Sequence, residues 1–136
     1  MSQRQGSSST TEGRLGAEIG TAAAVGAFVL GVGWGTTAAL VVDPAMAGAN
    51  DQCGSVQITS NGTGQAQATA TVAFTFTDGA YAALPRFALV VCDSSTSALT
   101  DQIVCAATLT TTVLTWVFPI LPVATKVYLF RYLVIA

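Results

Sequence analysis

Short runs of β-branched and aromatic residues, separated by turn residues, recur from residue 38 to the end of the chain. The clearest run is residues 69–77, where Val72, Phe74 and Phe76 alternate with threonine and alanine. A period of two puts successive side chains on opposite faces of a strand, so we expect one face of this run to join a core. The other face is polar. The pattern predicts strands and not helices.

About seven strands are predicted in this way, with turn signals such as Asp43-Pro44 and Asn61-Gly62 between them. They cover residues 38–42, 55–60, 69–77, 86–92, 103–109, 113–118 and 125–135. A spacing of roughly 8–15 residues without a helical period is typical of an all-β fold. We predict a β-sandwich of jelly-roll or immunoglobulin-like type.

The last predicted strand is apolar on both of its faces. One set consists of Val127, Leu129, Leu133 and Ile135 with Arg131 among them, and the other of Tyr128, Phe130, Tyr132 and Val134. Two interpretations are open. The strand is either central and covered on both sides, or its aromatic set contacts another copy, because aromatic residues are enriched at interface cores. In the second case Tyr128, Phe130 and Tyr132 form an oligomer interface.

The start of the chain has a different character, and we divide the sequence into an extended N-terminal arm, residues 1–36, and a β-sandwich domain, residues 37–136. The tip of the arm, Ser2 to Gly13, is a polar tract that cannot bury enough apolar surface to order itself. The inner part is apolar, and we expect it to lie on other subunits. Its expected anchors are Val25, Phe28, Val29, Leu30, Val32 and Trp34.

A membrane span or a cleaved signal peptide is the competing interpretation of this segment. Residues 19–42 carry no charge and are long enough to cross a bilayer, and Ala45-Met46-Ala47 resembles a signal-peptidase site. Two features oppose it. The stretch is interrupted by the helix-weakening residues Gly20, Gly26, Gly31, Gly33 and Gly35. The preceding residues also hold two Arg and two Glu, where a signal peptide has a short positive region. Membrane association is therefore not expected.

Charged residues form only 9% of the chain, against roughly 25% in typical soluble proteins. The polar surface must then consist of Thr, Ser, Gln, Asn and Gly, which are easily desolvated and suit permanent contact with neighbours. The five Lys and Arg residues are scattered and the net charge is −2. Nucleic-acid binding is not expected from such a chain.

The residues that carry chemistry in enzymes are mostly missing. Histidine, the commonest general base, is absent. Aspartates at predicted turns or strand ends are interpreted as caps of local backbone, with a calcium or carboxylate-pair site as the alternative: Asp43, Asp78, Asp93 and Asp101. Cys53, Cys92 and Cys105 lack CxxC spacing and are interpreted as small hydrophobic residues. We expect no catalytic residue, no metal and no cofactor, and we do not expect an enzyme.

From Gly48 onward, four segments together form one arrangement: residues 50–59, 70–76, 80–85 and 128–135. An Asp precedes a Gly-led strand, Ala80-Tyr81-Ala82 leads to Pro85, and an aromatic-rich strand closes the chain. This arrangement resembles a β-sandwich module of bacteriophage virion proteins, found in head decoration (cement) and in tail or fibre components. The chain departs from it in having Asn50 and Cys53, where small residues or threonine are usual, and in its long apolar arm.

The resemblance implies a structural virion protein without catalytic residues, assembled in the host cytoplasm. We expect a capsid decoration protein on the outer surface of the capsid, whose partners are the major capsid protein and copies of itself, as a dimer or trimer. The arm would tie neighbouring capsid subunits together. A phage tail, fibre or spike component is one alternative. A secreted or membrane-tethered β-domain for adhesion or carbohydrate binding, with a mature chain beginning near Gly48, is the other.

Overall fold

A computed structural model describes residues 27–42, 51–76, 80–95 and 102–135. This part of the chain contains nine β-strands, two short 3₁₀ turns at Val32–Trp34 and Gln67–Thr69, and no α-helix. The strands are β1 (Ala27–Leu30), β2 (Ala39–Val42), β3 (Cys53–Thr59), β4 (Thr71–Thr75), β5 (Phe87–Ser95), β6 (Ile103–Val104), β7 (Ala106–Leu109), β8 (Val113–Val117) and β9 (Val127–Ile135). The predictions for the arm tip, Val25, the site at residues 45–47 and Asp43, Asp78 and Asp101 fall outside the described residues.

The strands form two antiparallel sheets. One has four strands in the order β1-β4-β8-β7, and the other has five in the order β2-β3-β9-β5-β6. The longest pairings are those of β9, which is hydrogen-bonded along its length to β3 on one side and to β5 on the other. The prediction of an all-β fold is confirmed for the described residues.

The hydrophobic core lies between the two sheets. It combines alternate residues of β4 and β8 from one sheet with alternate residues of β3, β5 and β9 from the other. Val72 and Phe74 are completely buried and Phe76 is 5% exposed, as the alternation in this run predicts. The fully buried large side chains include Trp34, Trp116, Phe74, Phe118, Phe130, Ile58 and Leu114.

The run predicted as one strand over residues 103–109 is divided between the sheets. β6 pairs with β5 in the five-stranded sheet, whereas β7 pairs with β8 in the four-stranded sheet. Cys105 alone separates them, and its backbone N–H donates to the Val90 carbonyl at 2.8 Å. The chain therefore crosses from one layer to the other at a residue that is itself buried.

The sandwich begins before residue 37, which corrects the predicted boundary between arm and domain. β1 pairs with β4 from Ala27 opposite Thr75 to Leu30 opposite Val72. The Phe28 ring stacks on that of Phe74, with ring centroids 4.4 Å apart. Residues 27–36 thus belong to the domain, because their backbone and side chains are used by the four-stranded sheet.

The contacts around Trp34 explain the glycines on either side of it in the sequence. Its indole N–H donates to the Thr71 carbonyl at 2.9 Å, and its own carbonyl accepts a bond from the Ser60 hydroxyl at 2.8 Å. At Gly33 a Cβ would lie 2.3 Å from the Ala66 carbonyl oxygen, so only glycine lets the two 3₁₀ turns touch. The glycines that weaken a helix here serve a close backbone contact.

Candidate interaction surfaces

The aromatic set of β9 faces the core, which corrects its assignment to an oligomer interface. Tyr128 and Tyr132 are each 3% exposed and Phe130 is fully buried. Phe130 packs edge-on against Trp34 at 5.7 Å and Phe118 at 5.6 Å between ring centroids. The three rings hold the two sheets together, so they are not available to a second copy.

The predicted arm anchors fall into a buried group and an exposed group. Trp34 is completely buried, and Phe28 and Leu30 are partly buried against the core, which corrects their role as contacts to other subunits. Val29 and Val32 are exposed, at 62% and 79%. Val25 lies outside the described residues. Of the described anchors, these two valines have largely exposed side chains.

The outer face of the five-stranded sheet is apolar where the adjacent strands β5 and β9 pair. On β9 and β5 the residues that alternate with the core point outward and have partly or largely exposed side chains. We call this set the outer apolar face: Phe87, Leu89, Val91, Leu129, Leu133 and Ile135. The register places Leu89 beside Leu133 and Phe87 beside Ile135. Two neighbouring strands thus present a continuous row of aliphatic and aromatic side chains.

Arg131 lies at the centre of the outer apolar face. It is exposed, and it pairs across the strands with Val91 on β5 and Ser55 on β3. Of the side chains that the structure describes, it alone brings a formal charge to this face. A shallow depression of about 180 Å³ opens beside it, lined by Leu89, Val91, Gln102, Arg131, Tyr132 and Leu133. The face therefore offers an apolar depression with one guanidinium group at its edge.

The outer face of the four-stranded sheet has a different composition. Its central row consists of Val29, Ala73, Thr115 and Thr108 in neighbouring strands, and Val113 and Val117 flank Thr115 on the same strand. The two outer faces thus differ in composition: valine, alanine and threonine form the outer face of the four-stranded sheet, whereas leucine and phenylalanine occur on that of the five-stranded sheet.

A second exposed apolar group lies at one end of the sandwich. Ile120, Leu121 and Val123 are 44%, 52% and 51% exposed in the loop between β8 and β9. The loop is anchored by a hydrogen bond from the Val123 N–H to the Tyr128 hydroxyl at 2.9 Å. These side chains are presented on a fixed loop, but no charged or polar group among them defines a binding chemistry.

The cysteines are free thiols, and two of the three are buried. Burial raises the pKa of Cys105 to about 12, with the neighbouring Cys92 adding to the effect. Burial also raises the pKa of Cys53. Because the thiolate is the reactive form, these thiols are poor nucleophiles near neutral pH. Within the described ranges, no three potential metal-ligating side chains come together, and no helix is long and apolar enough to cross a membrane.

No protein family, curated protein or solved structure matches this chain. The outer apolar face was visible in the sequence as the second apolar set of the last strand. The sequence pattern did not tell which set faces inward. One signal favoured the observed answer, because Arg131 interrupts the aliphatic set and a charge is seldom tolerated in a core. The aromatic set contains no such interruption.

Proposed function

We propose that this chain is a non-catalytic structural subunit of a virus particle, a decoration protein on the capsid of a tailed bacteriophage. It binds the major capsid protein and copies of itself, and it takes no cofactor. The observation that carries the proposal is the outer apolar face. A sheet that is apolar on both sides needs a partner on the side that its own core does not cover.

The surface chemistry supports permanent assembly over a solitary existence. Only 9% of the residues are charged, so contact with a neighbour requires little desolvation of ions. The resemblance of residues 50–59, 70–76, 80–85 and 128–135 to a phage virion module supports the kind of assembly. The free thiols agree with assembly in a reducing host cytoplasm.

The finer architecture is part of the same proposal. The two antiparallel sheets form a sandwich of jelly-roll or immunoglobulin-like type, preceded by an arm that is shorter than the sequence pattern indicates. In this proposal the arm is confined to residues 1–26, since β1 (Ala27–Leu30) belongs to the four-stranded sheet. In this proposal the arm ties neighbouring subunits, and the outer apolar face supplies a contact of fixed shape.

Binding to shells tests the proposal directly. Capsid shells of the phage that encodes the chain, prepared without it, are mixed with the purified full-length protein, and the bound fraction is measured by co-sedimentation. We expect the wild-type chain to saturate the shells. Leu133→Asp, which places a charge in the outer apolar face, should weaken binding by at least tenfold because the carboxylate would be desolvated on contact.

The matched control is Thr115→Asp on the outer face of the four-stranded sheet, which should bind as the wild type does. Both variants must retain the wild-type thermal transition to be compared. A wild-type chain that does not bind shells contradicts the decoration role. Equal binding by all three proteins would show that the outer apolar face is not the contact.

A further inference from the structure

We infer that Asn61 is a site of spontaneous covalent modification in the folded protein. The Gly62 backbone nitrogen displaces the side-chain amide, and water then gives aspartate or isoaspartate, of which the second loosens the contacts around Trp34. Asn61 lies in the connection between β3 and β4. The modification goes beyond the proposed function and does not depend on it, because water is the only co-reactant.

The Asn61 side chain is open to solvent and lies beside the nitrogen that attacks it. Asn61 is exposed, and its Oδ1 accepts a hydrogen bond from the Gly62 N–H at 2.9 Å. Within the described residues the Gly62 N–H donates to no backbone carbonyl, so no backbone pairing has to break before the nitrogen reacts. The terminal torsion of an asparagine side chain is soft. A small rotation therefore brings Cγ toward the Gly62 nitrogen, as a near-attack arrangement requires.

The fold requires glycine at the next position, and glycine is the residue that hinders the attacking nitrogen least. Gly62 has a φ of +81°, a left-handed conformation that favours glycine. A Cβ at this position would lie 2.4 Å from the Thr36 Oγ1 and 2.9 Å from the Thr37 Oγ1. Backbone packing therefore keeps glycine after Asn61. Because no Cβ lies next to the nitrogen, a five-membered ring can close on it.

The chemistry needs no group besides these two residues and water. The Gly62 nitrogen forms a bond to the Asn61 Cγ, and the bond from Cγ to Nδ2 breaks. Nδ2 leaves as ammonia with the proton that the Gly62 nitrogen gives up, and a cyclic imide remains. Water then opens the imide at one of its two carbonyl carbons. Addition at Cγ yields aspartate, whereas addition at the backbone carbonyl carbon yields isoaspartate, in which the main chain runs through the former side chain.

Isoaspartate changes a backbone contact that holds the connection between β1 and β2. The Asn61 N–H donates to the Trp34 carbonyl at 3.2 Å, and the Asn61 carbonyl accepts a bond from the Thr37 N–H at 3.3 Å. The contact continues where the Thr36 N–H donates to the Thr63 carbonyl at 3.0 Å. Isoaspartate adds one carbon atom to the main chain between these bonds and converts the Asn61 carbonyl to a free carboxylate. The bonds on the two sides of the modified residue then lose their spacing.

Peptide mapping of the aged full-length protein tests the inference. The folded protein is incubated in mildly alkaline buffer, and an endoprotease that cleaves before aspartate releases residues 43–50 and 51–77 as separate peptides. Each peptide contains one of the two asparagines of the chain, Asn50 and Asn61. We expect the Asn61 amide to be lost at least tenfold faster than that of Asn50, because the side chain of Asp51 hinders the nitrogen after Asn50. Aspartate at position 61 adds a cleavage site, whereas isoaspartate leaves residues 51–77 uncut.

Two variants separate the chemical step from its effect on the fold. Asn61→Gln would need a six-membered ring, so it should keep its amide over the same period. Asn61→Asp carries the charge of the aspartate product on an unaltered main chain, and it should melt within about 1 °C of the wild type. The isoaspartate fraction, separated by ion exchange and verified by the same digest, should melt about 4 °C or more below the wild type, because a backbone hydrogen bond is lost.

Two results would overturn the modification itself. One is an Asn61 amide that is retained as long as that of Asn50. The other is loss of the Asn61 amide only after unfolding in urea, which would show that the native backbone prevents ring closure. An isoaspartate fraction that melts with the wild type would contradict the loosening around Trp34. Shell binding is measured on freshly purified protein, so failure here and failure of the decoration role are distinguishable.

Discussion

Both faces of β9 are mainly apolar, yet they differ in their side chains. The inner face presents Tyr128, Phe130 and Tyr132 from β9, each at most 3% exposed. The outer face presents Leu129 and Leu133 from the same strand, both partly exposed. On β9 the inner side chains are mainly aromatic rings in contact with other rings, whereas the outer ones are aliphatic and flank Arg131.

The difference shows what apolar composition does and does not decide. Folding needs one apolar face per sheet, because the second sheet covers only that one. The apolar residues of the other face add nothing to the core between the sheets, and in the proposed function they serve a contact with another subunit. In the proposed function, a strand that is apolar on both faces meets two separate requirements, one for the fold and one for assembly.

Substitution on the same strand should separate these requirements most strongly. Phe130→Ala removes a fully buried ring and should lower the free energy of unfolding by about 3–5 kcal/mol. Leu129→Ala, one residue away on the outer face, should lower it by about 1 kcal/mol or less. Urea unfolding of both variants provides the measurement. Equal losses would mean that the outer face is as important for the monomer as the core.

A second pair of substitutions, with a smaller expected effect, tests whether residues 27–36 belong to the core. Trp34→Phe removes the hydrogen bond to Thr71 and leaves a cavity, so we expect a loss of about 2 kcal/mol. Val32→Ala, two residues earlier and 79% exposed, should change stability by no more than about 0.5 kcal/mol. Thermal and urea unfolding measure both. If Trp34→Phe changes the free energy of unfolding as little as Val32→Ala does, the assignment of residues 27–36 to the sandwich is wrong.

The smallest predicted effect is a loss of stability at alkaline pH. Burial raises the pKa of Cys105 from 9.0 to about 12, and burial also raises the pKa of Tyr132 above its ordinary value. The native state then keeps protons that the unfolded state has released, so stability is complete below pH 9 and falls as the pH rises toward 12.

The melting temperature should therefore decrease as the pH is raised from 8 to 11. The melting temperature of Cys105→Ala should decrease less steeply over the same range. The slope is the quantity to compare, because the substitution itself removes a buried side chain. A melting temperature that does not change over this range would mean that the two groups titrate alike in the folded and unfolded states.

Much of the fold follows from local sequence pattern. The alternation around Val72 and Phe74 indicates both a strand and its buried face, because the two sets differ in polarity. The exposed Arg131 also marked one face of the last strand. These features depend on neighbouring residues alone, so a single sequence reveals them.

The missed features depend on distant parts of the chain. Ala27–Leu30 is a strand because it pairs with β4, more than 40 residues later, and nothing in its own residues distinguishes it from an apolar arm. The division at Cys105 reflects the way in which two twisted sheets approach at their edges. The contacts of the β9 rings with Trp34 and Phe118 also involve other elements, so the last strand alone does not show them.

The position of Ala27 and Ile135 has a mechanical consequence. Phe28 lies against Tyr132, so the described chain starts and finishes at the same end of the sandwich, in different sheets. A force that separates these two points acts on β1 and β9 from that shared end. The four residue pairs between β1 and β4 would then open one after another, whereas β9 is held on both sides. Under tension the first strand is the part of the sandwich that yields.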